Sequence, residues 1–145
     1  MIRSHPLKRL IALISLALLA VAVPSATAAV KFFQSPSGNI GCVIATTKSE
    51  GSARCDIAKR SWKPPPAPAS CKGLDYGQGL IVLNKHKGTY TCAGDTVLHT
   101  GPKKTVGTVI KLGGFRCTVR RGSVSCVRTA TQHGFTISKK SASLF

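Results

Sequence analysis

Acidic and aromatic residues are scarce in this chain. Its 145 residues include four Asp or Glu against 21 Lys or Arg, and only 6% of them are aromatic. So few carboxylates give little choice of partners for acid–base catalysis. So few aromatic rings, with none alternating with basic residues, disfavour base stacking and hence sequence-specific reading of nucleic acid. The composition therefore favours a protein that binds over one that catalyses.

Motifs for covalent and metal chemistry are missing as well. The chain has no Cys-x-x-Cys spacing for a metal and no Gly-x-Ser-x-Gly elbow for a serine nucleophile. Three of its four histidines, His86, His99 and His133, fall in predicted loops or turns. We therefore predict a non-enzymatic protein with no catalytic residue, no metal and no cofactor. A small extracellular nuclease that uses histidine with Glu50 and lysines is the remaining enzymatic alternative.

Residues 1–28 have the anatomy of a secretory signal peptide. Arg3, Lys8 and Arg9 give a positive start, residues 10–23 form an apolar run, and an Ala-Thr-Ala cleavage site follows. The apolar run is shorter than the roughly 20 residues of a spanning helix. No cysteine lies near the cut for lipid attachment. We therefore expect a cleaved leader and a secreted, extracellular protein with no integral membrane segment.

The predicted mature chain, residues 29–145, has a length that suits one domain. Three basic residues precede the cut, so the mature chain keeps 18 of them with all four acids, a net charge of +14. Short apolar runs alternate with Gly, Pro and Asn, and no stretch has a convincing helical period. We therefore predict an all-β fold, a small disulfide-stapled sandwich or barrel. The predicted strands lie near residues 40–44, 53–57, 80–83, 90–92, 97–98, 106–110 and 135–137, with a further hairpin at 117–126.

Six cysteines in an exported chain of this size predict three disulfides. They are Cys42, Cys55, Cys71, Cys92, Cys117 and Cys126. A two-residue loop at Arg121 and Gly122 sets Cys117 opposite Cys126 in a non-hydrogen-bonded pair, where Cα atoms lie close enough for a bond. A minimal loop at residues 48–49 does the same for Cys42 and Cys55, and a looser loop there is equally compatible. A Cys71–Cys92 bond follows by elimination.

Residues 59–70 are rich in proline and form what we call the proline strap. Its prolines impose an extended path without backbone donors, which excludes a helix or a central strand. We predict that Trp62 packs on the core while the prolines cross a sheet edge. The alternative is a docking segment for a partner with an aromatic groove.

Basic residues come in pairs at predicted turns, where their charges meet water. The pairs are Lys59 and Arg60, Lys85 and Lys87, Lys103 and Lys104, Arg120 and Arg121, and Lys139 and Lys140. We take these ten as candidate anion-binding residues, because turns that share one end of a sandwich form a patch for phosphate or sulfate groups. The alternative is that dispersed lysines only keep a secreted protein soluble.

Several runs resemble an uncharacterised family of small secreted actinobacterial proteins. They are SPSGNIGC, RCDI, WKPPPAPASC, CAGDTV and HGFTIS, followed by the closing Leu-Phe, and they span nearly all of the mature chain. The resemblance implies an exported, disulfide-stapled protein. It implies no activity and no catalytic residue, and this chain lacks the lipid-attachment cysteine that some members carry.

We therefore expect an extracellular β-domain that acts by binding at or near the cell envelope. The expected partner is an anionic polymer or an acidic protein, because of the +14 charge and the paired basic residues. The alternative is a secreted inhibitor of a protease or lysozyme, since rigid disulfide-braced loops suit tight binding. The candidate inhibitor loops are residues 46–51 and 99–104.

Overall fold

Ten β-strands make up most of the regular structure. The computed structural model describes residues 27–145, so nearly all of the predicted signal peptide lies outside the described residues. The strands form two five-stranded sheets in which every neighbouring pair is antiparallel. The sheets pack face to face around one apolar core, which confirms the predicted all-β fold in its sandwich form.

The first sheet is a meander in which each strand pairs with the next along the chain. Ile40, Cys42 and Ile44 lie on one face of its second strand and are buried, because alternate residues of a strand share a face. The strands are β1 (Ala29–Gln34), β2 (Ile40–Thr46), β3 (Gly51–Ile57), β4 (Asp75–Leu83) and β5 (Thr89–Ala93).

The second sheet is also a meander. Its hairpin at Arg121 and Gly122 pairs Val119 with Val124, and both valines are fully buried. The strands are β6 (Val109–Leu112), β7 (Phe115–Arg120), β8 (Ser123–Arg128), β9 (Gly134–Ser138) and β10 (Ala142–Leu144).

Three disulfides join the same cysteine pairs as the sequence predicts: Cys42–Cys55, Cys71–Cys92 and Cys117–Cys126. The first and third link directly opposed residues with Cα separations of 4.1 Å and 4.0 Å, as in non-hydrogen-bonded pairs. Cys55 Sγ lies 3.8 Å from Cys126 Sγ, so these two disulfides touch at the centre of the core. Since neither sulfur carries a proton, this contact is dispersive.

The two sheets are connected by residues 94–108, which we call the crossover segment. It starts after β5 and crosses the outer face of the first sheet, where Val97 donates its N–H to the Asp56 carboxylate at 3.0 Å. It then runs along the β1 edge, where the N–H of Gln34 donates to the Pro102 carbonyl and the N–H of Lys104 to the Gln34 carbonyl. The crossover segment therefore covers the first sheet on the side away from the core.

The proline strap bridges the sheets on the other side of the sandwich. The Trp62 indole N–H donates to the Ser138 carbonyl of β9 at 2.8 Å, and its ring packs against the core. Pro64 lies against Gly77 of β4, where a Cβ atom would come within 2.5 Å of the proline ring. The strap ends in Cys71, whose bond to Cys92 of β5 we call the strap disulfide.

Two predicted strands are wrong in part or in full. Residues 97–98 form no strand, because the N–H and carbonyl of Val97 are engaged by Asp56 and by the Thr100 hydroxyl. The strand predicted at 106–110 begins only at Val109, since Val106 lies in a turn. The first and last strands, β1 and β10, lie outside the predicted strands.

Candidate anion-binding groove

One end of the sandwich carries a groove of about 650 Å³, which we call the end groove. It lies where the β1–β2 turn, the start of the proline strap, the crossover segment and the β7–β8 and β9–β10 turns meet. Lys59, Arg121, Lys139 and His99 line it, and none of the described residues that line it is acidic. The end groove therefore gathers positive charge from three separate parts of the chain, at Lys59, Arg121 and Lys139.

Lys59 is held in place by the side chain of Asn39. The Asn39 amide donates to the Lys59 carbonyl at 3.0 Å and its oxygen accepts from the Lys59 N–H at 2.9 Å. The N–H of Ala58 also donates to the Asn39 carbonyl at 3.0 Å. Because Asn39 uses both side-chain groups on one backbone unit, the position of Lys59 is fixed relative to the β1–β2 turn.

Lys139 is anchored in a similar way from the proline strap. Its carbonyl accepts from the Ser61 N–H at 2.8 Å and from the Ser61 hydroxyl at 3.1 Å. The β9–β10 turn that carries Lys139 is itself closed by hydrogen bonds between Ser138 and Ser141. These bonds hold the backbone of Lys139 in place, and its ammonium group is carried on a flexible side chain.

His99 enters the end groove from the crossover segment. Its backbone is left-handed, with φ of 61°, a conformation that few non-glycine residues adopt. The turn is held by the Leu98 N–H on the Thr96 hydroxyl and by the Thr100 hydroxyl on the Val97 carbonyl at 2.6 Å. The sequence pattern predicts only a loop or turn at His99, so its place in the lining of the end groove comes from tertiary structure.

Part of the lining of the end groove is aliphatic. Pro36, Ile40 and Val106 contribute apolar surface to it. The hydroxyl of Ser35 is engaged, because it accepts from the Ile40 N–H at 3.1 Å. The groove therefore combines cationic and hydrocarbon surface.

A second hollow of about 570 Å³ adjoins the end groove. Lys59 and Lys139 line both hollows, and Arg60, Gln78 and Leu98 line the second alone. The Arg60 guanidinium lies 4.5 Å from the centre of the Trp62 ring, a cation–π contact that supports its side chain. The described lining of this hollow is free of acidic residues too.

The ten candidate residues do not form one patch. Arg121, Lys59, Arg60 and Lys139 come together at the two hollows, and Lys103 lies beside them against Gly38. Lys104, Arg120 and Lys140 are their chain neighbours but do not line either hollow. Lys85 and Lys87 lie at the opposite end, in the β4–β5 turn, where Lys85 shares a shallow hollow with Glu50.

The candidate catalytic residues are dispersed. His99 lies at the end groove, whereas His86 shares the opposite end with Glu50 and His133 lies in the loop before β9. Within residues 27–145, no group of three or more His, Cys, Asp or Glu side chains is placed to hold a metal ion. No helix in this same part of the chain has the length and apolar character needed to cross a membrane.

An ion-pair network joins β3 to the crossover segment, and no sequence motif predicts it. Arg54 donates to Asp56 from Nε at 2.9 Å and from Nη2 at 2.8 Å, and its Nη1 donates to Asp95 at 2.8 Å. Burial of the guanidinium opposes its charge, but the hydrogen bonds that Arg54 donates to Asp56 and Asp95, together with the charges of these acids, outweigh burial and raise the pKa of Arg54. The hydrogen bond from Arg54, with its charge, lowers the pKa of Asp95. This network therefore uses two of the four acids in the chain.

The fold and the distribution of charge define a class, a disulfide-braced sandwich of two meanders with a basic groove at one end. Residues 12–145 match the model of a family described as a family of unknown function, DUF6636, and the chain belongs to that family. The predicted resemblance to an uncharacterised family is thus confirmed at that level. Comparison with curated proteins finds no match, and comparison with solved structures finds none.

Proposed function

We propose that this protein binds an anionic ligand in the end groove, outside the cell and without catalysing a reaction on it. The observation that carries the proposal is the convergence of Lys59, Arg121 and Lys139 on one groove with no acidic residue in its described lining. Like charges held together repel one another, so this arrangement is costly unless an anion shares it. The Asn39 and Ser61 side chains hydrogen-bond to the backbone of Lys59 and Lys139, which favours a site formed before the ligand arrives.

An extracellular location is part of the same proposal. Three disulfides with no free cysteine in residues 27–145 are typical of an oxidising compartment. The predicted signal peptide and the resemblance to secreted actinobacterial proteins support export. At the envelope, a strongly basic domain meets anionic polymers at high local density.

The expected strength for a small anion is modest. One cation about 4 Å from an anion contributes roughly 1 kcal/mol in water-like surroundings. Three such contacts give about 3 kcal/mol, which corresponds to a dissociation constant in the millimolar range or weaker. A monovalent or divalent anion therefore binds detectably but weakly at low salt.

The test is an NMR titration of the isotopically labelled protein with inorganic pyrophosphate at low salt. Backbone amides around residues 35–39, 59 and 139 are expected to shift and to saturate at millimolar ligand. The double variant Lys59→Gln/Lys139→Gln removes two contacts of about 1 kcal/mol each and is expected to weaken binding about thirtyfold. The matched control, Lys85→Gln/Lys87→Gln, removes the same charge at the opposite end and is expected to change little. Equal weakening by both variants, or shifts confined to other surfaces, would overturn the proposal.

The inhibitor alternative has less support from the positions of its loops. Residues 46–51 make a tight turn in which the Thr47 N–H donates to the Glu50 carbonyl. In the other candidate, Gly101 and Pro102 use their carbonyls to hold Gln34 of β1. Neither loop projects a free extended segment of the kind that a hydrolase cleft accepts.

A further inference from the structure

The end groove and the second hollow adjoin, and together we call them the track. Ala58, Lys59 and Lys139 line both, so one ligand placed across these residues reaches both hollows. Arg121 lies in the first hollow only and Arg60 in the second only. The two lysines are therefore common to the hollows, and each hollow adds one arginine of its own.

A compact anion uses only part of this track. Pyrophosphate seated in the end groove contacts cations of that hollow and leaves Arg60 unpaired. A chain with charges along its length neutralises the cations of both hollows at once, and each further contact adds to affinity and to its dependence on salt. The charge of the track thus matches an extended ligand better than a compact one.

The lining indicates which kind of chain fits. Pro36, Ile40 and Val106 in the first hollow and Leu98 in the second are aliphatic, and the described lining of both contains no Phe, Tyr or Trp. Trp62, beside the second hollow, is covered by Arg60 and tilts against Tyr90 at 6.1 Å. Single-strand sites bind nucleobases by stacking them on open aromatic faces. The imidazole of His99 is the one ring in the described lining, so the track suits a chain without bases better than a nucleic acid.

Resting on the proposed function, we infer that the ligand is a linear polyanion with phosphate charges on a non-aromatic backbone, bound across both hollows. Inorganic polyphosphate and polyol phosphates share this chemistry. Such a ligand pairs its charges with Arg121, Lys59, Lys139 and Arg60 and places its backbone against the aliphatic side chains of the two linings. The site is therefore a track for one chain.

The test measures the binding of inorganic polyphosphates from about two to about twenty phosphates long. The affinity is expressed per phosphate, because a longer chain can bind in more positions and so gains apparent affinity without any new contact. Affinity per phosphate is expected to rise about tenfold and then to level off once a chain spans both hollows. Arg60→Gln is expected to weaken the long chain three- to tenfold, to lower its salt slope by about one and to leave pyrophosphate binding unchanged. Lys87→Gln, an equal charge change at the opposite end, is the control.

Two results would overturn this inference and leave the proposed function standing. One is pyrophosphate binding in the end groove with no gain per phosphate in longer chains, which indicates a compact ligand. The other is tighter binding of oligothymidylate than of polyphosphate at equal phosphate number, which indicates contact with bases. A glycerol phosphate polymer of matched length distinguishes the two chemical sources. If it binds more tightly than polyphosphate, its polyol units contact the aliphatic side chains of the track.

Discussion

Replacement of Asp56 by asparagine tests the buried network most directly. The Asp56 side chain is fully buried and accepts four hydrogen bonds, two from Arg54, one from the Thr96 hydroxyl and one from the Val97 N–H. Gly79 leaves no spare room, since a Cβ atom there would lie 2.3 Å from Asp56 Oδ1. An asparagine in this space must turn its NH₂ group toward one set of donors.

The size of the loss follows from these contacts. The asparagine oxygen can replace Oδ2, which accepts three of the bonds, but its NH₂ then faces the Arg54 Nε–H. The variant loses one charge-assisted bond, worth roughly 1.5–3 kcal/mol, and weakens the others by removing the charge. We expect a total loss of about 3–4 kcal/mol, within the range for breaking a buried ion pair. For a domain of this size that corresponds to a fall of about 12–16 °C in melting temperature.

The assay is urea unfolding of the oxidised protein, followed by circular dichroism, in a double-mutant cycle with Arg54→Met. Because each single variant strands the other buried partner, the double variant is expected to cost about 2 kcal/mol less than the sum of the singles. Asp95→Asn is the control, since it removes the exposed partner of the same guanidinium. A loss below about 1 kcal/mol for Asp56→Asn, as for a surface pair, would refute this account. Additive costs in the cycle would refute it equally.

Three further predictions concern the disulfides, acid stability and the proline strap. We expect replacement of the strap disulfide by two alanines to lower the free energy of unfolding less than the same replacement of the Cys42–Cys55 disulfide, although the strap disulfide closes the longer loop. The reason is that Cys42 and Cys55 are both buried, whereas Cys92 is exposed. Equal or reversed values in urea unfolding would contradict this. Arg54 holds the pKa of Asp95 below 3.8. The contribution of the Asp95 carboxylate to folding stability is therefore complete above pH 3.8 and is lost as the pH falls through the lowered pKa. Thermal melts between about pH 2 and pH 5 should therefore show a smaller acid loss in Asp95→Asn than in the native protein, and an identical loss would exclude the effect. Trp62→Phe keeps a ring on the core but removes the indole N–H that donates to the Ser138 carbonyl. We expect the free energy of unfolding to fall by about 1–2 kcal/mol and amide hydrogen exchange in β9 to become faster. An unchanged exchange rate in β9 would show that this hydrogen bond does not hold the strap.

The hairpins could be predicted from the sequence because their geometry is local. The two-residue loop at 121–122 fixes the register of its strands, and the register fixes which cysteines face each other. At residues 47–50 a looser loop is equally compatible with the sequence, and the observed register is the one that the minimal loop predicts. Trp62 could be placed in the same way, since a large apolar ring beside a run of prolines has few places to go other than a sheet edge.

The covering of the first sheet could not be predicted from strand periodicity. Cys55 and Ile57 alternate toward the core, so the pattern assigns Asp56 to the outer face and to solvent. Asp56 does lie on that outer face, but residues 96–97 cover it and bury it completely. Periodicity reports the face on which a side chain lies and carries no information on what a distant segment places over that face.

The end groove was predictable only in part. Successive turns of a meander alternate between the two ends of a sheet, so the turns with Arg121 and Lys139, two strands apart, must share one end. The same counting within the first sheet places Lys85 and Lys87 opposite Lys59. Which ends of the two sheets coincide depends on the crossover segment, whose path is set by Gln34 and Asp56 rather than by its own sequence.

The placement of the disulfides has a consequence for the denatured state. Within residues 27–145, each of the three bonds closes a loop inside one meander or its strap, and none spans from one sheet to the other. Unfolding the oxidised protein therefore separates the sheets while both cysteine hairpins keep their registers. A denatured ensemble with two preset hairpins exposes less new surface and gives a smaller urea m-value than a reduced chain. Refolding then starts from two disulfide-linked hairpins, one in each sheet, that the crossover segment keeps in one chain.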